Sequence, residues 1–143
     1  MYRTRLVMMA GLIFGIMVSL SGCHNGDHHI NGVSSRMFYE NHLHLLENSN
    51  AVIIDGRTAE MFAGGHLKNA VNIDADAPNL SETLKQYADR PLIVVYCTNI
   101  RRTSRIVHTL SDFYEGEIFY IEDGIQGWKR NGFPVSVKSV SDN

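Results

Sequence analysis

Cysteine is scarce in this chain: of 143 residues only Cys23 and Cys97 carry a thiol. No Cys-x2-Cys pair occurs, which excludes the zinc ribbons and dithiol redox motifs built on that spacing. A Walker-type glycine loop is also missing, so no phosphate cradle of that kind is present. Basic residues are too few and too dispersed to make a track for nucleic acid. The 13 Lys and Arg stand against 15 Asp and Glu, a formal charge of −2, and only Arg101, Arg102 and Arg105 cluster, as a local anion site. No internal repeat is visible. With 44% hydrophobic and 20% charged residues, what remains is the composition of one ordinary globular domain.

The only long apolar run lies at the start. Arg3 and Arg5 give a basic beginning, Leu6 to Leu20 an apolar stretch too short for a comfortable membrane span, and Leu20-Ser21-Gly22-Cys23 a small-residue cleavage site. That tetrapeptide resembles the lipobox of bacterial lipoproteins. The resemblance implies that residues 1–22 are a signal peptide and that Cys23 is lipidated and becomes the mature N-terminus. The protein is then lipid-anchored in the bacterial cell envelope, outside the cytoplasm. Removal of residues 1–22 takes away two basic and no acidic residues, moving the formal charge from −2 to −4. One thiol remains, so an intrachain disulfide is excluded. Residues 23–33 are polar, glycine-containing and aperiodic, which predicts a flexible tether. His24, His28 and His29 with Asp27 could hold a transition metal loosely; a solvated spacer is the preferred reading.

The rest of the chain is organised around Leu92-Ile93-Val94-Val95-Tyr96, a run rich in β-branched residues that reads as a strand buried on both faces. Beyond it, Ile106, Val107, Leu110, Phe113 and Tyr114 recur at helical spacing, which predicts a helix from Thr103, whose hydroxyl either donates to the site or, as the preferred reading, caps the helix. Cys97 to Arg102 is then a tight strand-to-helix turn with a thiol at one end and guanidinium groups at the other. Unpaired N–H groups at a helix start and the nearby arginines favour a thiolate, so the expected Cys97 pKa lies below its free value of about 8.5. A free cysteine after a buried strand is often just a small packed apolar residue. The Cys-x4-Arg spacing and the helix onset outweigh that reading.

Further elements follow the same alternation. Ser34 or Ser35 caps a helix to about Glu47 carrying Phe38, Leu45 and Leu46, with His42 and His44 on the surface. Ala51 to Ile54 forms a strand ending in Asp55-Gly56-Arg57, and Thr58 caps a short helix stopped by Gly64-Gly65. Ala70 to Ile73 is a third strand, and Asn79 with Glu82 is a capping pair ahead of Leu80, Leu84 and Tyr87. Ile118 to Ile121 is a last strand, followed by a short helix with Trp128 as core anchor, closed by Gly132. Strand and helix in alternation imply an α/β fold with a mainly parallel central sheet, helices on both faces, and ligands beyond the C-terminal strand ends. The domain is assigned to residues 34–138 and a tail to 139–143.

Several separated motifs now agree in order: Val52-Ile53-Ile54-Asp55-Gly56-Arg57, Glu60, Phe62, Gly65-His66, Ala70-Val71-Asn72-Ile73, Val95-Tyr96-Cys97 with Arg102, Asp123 to Trp128, and Gly132-Phe133-Pro134-Val135. Together they resemble a single-domain rhodanese, over about residues 34–137. The resemblance implies a sulfurtransferase in which Cys97 carries a persulfide held by the loop of Thr98, Asn99, Ile100, Arg101 and Arg102, with Thr103 at the helix start. It implies a small sulfur donor such as thiosulfate, a thiol or cyanide acceptor, a monomer, and neither cofactor nor metal. Arg102 matches the family's loop arginine and would close the loop and attract the anionic donor. Asp55 and Arg57 belong to the pattern as structural residues near the site, as do Glu60 and His66. One position departs: the family often has glycine where this chain has Ile100. A β-branched residue at positive φ would cost about 1–3 kcal/mol, so either the loop geometry differs or Ile100 stays in an allowed region. A rhodanese-like binding or sulfur-carrier module with little turnover is the alternative. The related thiol phosphatases and arsenate reductases resemble Cys-x5-Arg, one residue longer than the loop here.

Overall fold

The computed structural model describes residues 29–137. The predicted signal peptide, the lipidation site Cys23, His24, Asp27, His28, Lys138 and the tail 139–143 lie outside the described residues. In chain order the elements are β1 (Ile30–Val33), α1 (Ser35–His42) running into a 3-10 turn (Leu43–Glu47), β2 (Ala51–Asp55), α2 (Ala59–Ala63), β3 (Ala70–Asn72), α3 (Leu80–Lys85), β4 (Leu92–Tyr96), α4 (Ile100–Ser111), β5 (Glu117–Ile121) and α5 (Gly124–Arg130). The strands form one sheet in the order β1-β5-β4-β2-β3, every neighbouring pair parallel. Ile53 of β2 is in register with Val94 of β4, and Val94 with Phe119 of β5.

Period-two alternation along the buried strands divides the core into two layers. Leu92, Val94 and Tyr96 pack with Phe38, Ile125 and Trp128 on the face covered by α1 and α5. Ile93 and Val95 pack with Leu80, Leu84, Ile106 and Leu110 on the face covered by α3 and α4. The expected α/β architecture with helices on both faces is therefore present. From β2 the chain moves outward to β3, whereas from β4 it moves the other way to β5. The connections leaving β2 and β4 thus run in opposite directions, leaving a crevice at the point where α/β sheets place their ligands.

Ser34 caps α1, its hydroxyl accepting from Met37 N–H at 3.2 Å, and Thr58 caps α2 through Met61 N–H at 3.4 Å. Three expectations need correction. Residues 30–33, assigned above to the tether, form β1: Ile30 to Val33 pair with Ile118 to Ile121, and Val33 is buried. The pairing partner lies far along the chain, and Gly32 beneath the Tyr120 ring breaks any apolar alternation, so the segment carries no local strand pattern. Asn79 occupies the N-cap position of α3 but its side chain makes no cap bond, leaving no capping pair with Glu82. His42 is half-buried, its ring 4.8 Å from that of Phe119, because the helix turns it back onto the sheet. Among the described residues no helix is long and apolar enough to cross a membrane.

Trp128 anchors the α1/α5 layer. It is fully buried, its indole N–H donates to Pro134 O at 2.8 Å, and the rings of Phe38, Tyr39 and Phe133 surround it. Asp123 ties the same two helices, accepting from Ser35 N–H and Ser35 Oγ at 2.7 Å each. Its carboxylate fills the place a side chain at residue 127 would take, since a Cβ on Gly127 would lie 1.8 Å from Asp123 Oδ2. Gly127→Ala therefore displaces Asp123 and strands buried Ser35, and should lower stability by about 3 kcal/mol. A urea titration would show this as a lower midpoint with unchanged slope.

Candidate active site

Cys97 follows the last residue of β4, and α4 begins only three residues later. Its N-cap is Asn99, whose side chain accepts from Arg102 N–H at 3.2 Å. The predicted start and cap at Thr103 are thus corrected. Asn is the stronger cap residue, and Thr103 is a buried helical residue whose hydroxyl donates to Asn99 O at 3.3 Å. Ile100, as the first residue of α4, needs no positive φ; among the described non-glycine residues only Asn69 has one. The strain weighed for a β-branched residue there does not arise. Ile100 instead exposes 49% of its surface beside the loop.

The crevice between β2 and β4 seats the cysteine tightly. Cys97 O accepts from Ile125 N–H at 3.0 Å, which brings α5 against the back of the loop. Only glycine permits that approach at residue 124, where φ is +54° and a Cβ would lie 2.1 Å from Cys97 O. Gly56 N–H donates to Tyr96 O at 2.8 Å, joining the loop after β2 to the end of β4. Cys97 carries a free thiol and is fully buried. Burial pushes that thiol up from its ordinary pKa, and the Asp55 carboxylate adds to the rise; the N–H groups of Thr98 and Asn99 and the Arg102 charge pull the other way without prevailing. The expected depression of the Cys97 pKa is therefore corrected: desolvation outweighs the helix start.

Arg102 and Arg105 are themselves paired with carboxylates. Arg102 Nε donates to Asp76 Oδ2 at 2.8 Å, its Nη2 donates to the same oxygen, and Asp74 Oδ1 lies 3.7 Å from Nη2. Arg105 Nη1 donates to the other Asp76 oxygen at 3.1 Å. Asp76, Arg101, Arg102 and Arg105 line a small open cavity of about 250 Å³. The two carboxylates were missed from the sequence, although they sit in Ile73-Asp74-Ala75-Asp76 directly after β3, where charged groups at a strand end are a usable signal. Thr98 is half-buried, its hydroxyl 4.0 Å from the Met61 sulfur.

Behind the crevice lies a buried ion pair. Asp55 is fully buried and Arg57 4% exposed; Arg57 N–H donates to Asp55 Oδ1 at 3.0 Å, Nε reaches both carboxylate oxygens, and Nη2 bonds Oδ2 at 2.6 Å and Gly65 O at 2.7 Å. Burial alone would lower the Arg57 pKa, but Asp55 more than offsets it and leaves it raised. Tyr96 Oη accepts from Leu67 N–H at 3.0 Å, and burial beside Asp55 pushes its phenol far above the usual range. His66 stacks on Phe62 at 3.9 Å and joins Ser136 through two backbone bonds; Glu60 is exposed. A separate groove of about 280 Å³ between Leu46, Trp128 and Val135 takes in Ser136 but neither Cys97 nor its loop.

Residues 39–131 match the model of the rhodanese-like domain. The chain belongs to the rhodanese-like family. The fold of this rhodanese-like domain is similar to that of a rhodanese-related protein from Thermoplasma volcanium, 25% identical with a TM-score of 0.60 over 76% of this chain and 99% of that one. It is also similar to a rhodanese-like domain protein from Staphylococcus aureus, 22% identical with a TM-score of 0.59 over 76% and 99%. Among curated proteins it is 32% identical over 100 residues to the tRNA uridine(34) hydroxylase of Salmonella paratyphi B. That match takes in 64% of this chain and 28% of the relative, so the chain spans little more than a quarter of the length of that protein.

Two outcomes follow from this geometry. Arg57→Met leaves the buried Asp55 carboxylate without its cation and should cost about 3–5 kcal/mol, with part recovered in the Asp55→Asn, Arg57→Met double variant, as read by chemical denaturation. Because the protonated Cys97 thiol is favoured, its thiolate fraction at pH 7 lies below that of free cysteine. Iodoacetamide alkylation should rise with pH to a half-point above that of a free cysteine measured alongside; a half-point below it would contradict the pKa direction.

Proposed function

We propose that the chain is a sulfurtransferase that moves sulfane sulfur from a donor such as thiosulfate to a thiophilic acceptor through a Cys97 persulfide. The observation that carries this reading is Cys97 itself, set at the switch point of a rhodanese-like sheet with its loop amides and the Cys-x4-Arg helix start around it. The Cys97 thiolate attacks the outer sulfur of thiosulfate, the S–S bond breaks, and sulfite leaves with the electron pair. A thiol or cyanide then removes the outer sulfur and restores the thiolate, giving ping-pong kinetics. The terminal sulfur of the persulfide is the group the Thr98 and Asn99 N–H donors would stabilise. Each step is a two-electron displacement at sulfur, so the cycle requires no cofactor or metal.

Lipidation of Cys23 is part of the same proposal, supported by the ordered basic, apolar and lipobox segments; it would hold a monomeric domain at the membrane on a tether of residues 23–29. A second reading, a sulfur-carrier or binding module with little turnover of small donors, is favoured by one observation: the thiol is fully buried and its pKa raised.

Intact mass of the domain lacking residues 1–23 separates the two. Thiosulfate should add one sulfur, about 32 Da, that cyanide removes and that Cys97→Ser never acquires. No gain with any small donor, while Cys97 still alkylates, would overturn the enzyme reading in favour of the carrier.

A further inference from the structure

The Arg102 guanidinium is not free. Asp76 Oδ2 accepts from both Nε and Nη2 of Arg102, so the side-on edge of this guanidinium is already bound to a carboxylate. Arg105 holds the other Asp76 oxygen at 3.1 Å, and Asp74 stands 3.7 Å from Arg102. Three guanidinium groups thus face two carboxylates, leaving about one positive charge where a dianion would need more. The Arg102 hydrogen bonds hold the Asp76 carboxyl below its usual range, with smaller contributions from Arg105 and Arg101, so it stays ionised at neutral pH. On another side of the loop the side chains are aliphatic: Met61, whose sulfur is 4.0 Å from the Thr98 hydroxyl, and Ile100 are each about half exposed.

Resting on the sulfurtransferase reading, we propose that Asp76 is a specificity-determining residue: by occupying Arg102 it disfavours dianionic thiosulfate and directs the site to organic persulfides, whose reacting end carries at most one negative charge. In that reaction the Cys97 thiolate bonds to the terminal sulfur of R–S–S–H. The donor S–S bond breaks with its electron pair leaving as R–S⁻, and the proton stays on the transferred sulfur. Nothing is oxidised or reduced overall.

Asp76→Asn tests this while preserving shape. Calorimetric titration of thiosulfate into Cys97→Ser, with and without Asp76→Asn, needs no turnover; the added substitution should tighten binding about tenfold, and unchanged affinity would overturn the proposal. In the Cys97 protein with cyanide as acceptor, Asp76→Asn should raise kcat/KM for thiosulfate about tenfold and leave that for cysteine persulfide within twofold; an equal change for both donors would also overturn it. Tighter thiosulfate binding in a protein that gains sulfur from neither donor would uphold the Asp76 lock and remove the sulfurtransferase reading. Sulfur transfer with unchanged thiosulfate binding would do the reverse.

Discussion

The buried pair of Asp55 and Arg57 is the constraint on which the site depends. Its carboxylate is fully buried, and a charge there is tolerable only because a guanidinium and a backbone N–H satisfy it. The bonds that result do more than neutralise charge. Arg57 reaches Gly65 O, Asn72 Nδ2 donates to Arg57 O at 2.7 Å, and Tyr96, which ends β4, lies with its ring 5.9 Å from the Arg57 guanidinium. The turns after β2 and α2 and the last residues of β3 and β4 are therefore held in one network. Cys97 comes next in the chain and inherits that position.

That placement sets two electrostatic effects against each other. A helix start with its unpaired N–H groups favours an anion, and Thr98 and Asn99 turn theirs toward the thiol. Complete burial opposes ionisation and outweighs those N–H groups and the Arg102 charge, and the Asp55 carboxylate adds to it. The Cys97 thiol thus sits with its pKa raised beside the N–H groups of Thr98 and Asn99.

Much of this was legible in local pattern. The runs Ala51 to Asp55 and Leu92 to Tyr96 are strands because β-branched residues crowd there, and the helix of Ile106 and Leu110 shows in steps of three and four. Trp128 as core anchor and the caps at Ser34 and Thr58 followed from residue type and position. The failures share a cause. β1 owes its existence to β5, far along the chain, and Asn99 took the cap from Thr103 because the loop closes sooner than apolar periodicity reveals. Periodicity reports where side chains are buried, and the first turn of α4 is exposed at Ile100 and Arg101.

Residue order alone thus settled the α/β class, the parallel strands and the place of the thiol on its strand-to-helix turn, since each rests on short-range spacing and side-chain chemistry. Tertiary structure decided the thiol's charge state and the availability of Arg102. Those depend on how much water the fold removes from Cys97 and on carboxylates that arrive from the end of β3, more than twenty residues away along the chain, close enough to hydrogen-bond Arg102. A pKa is set by neighbours in space, which no local pattern of residues specifies.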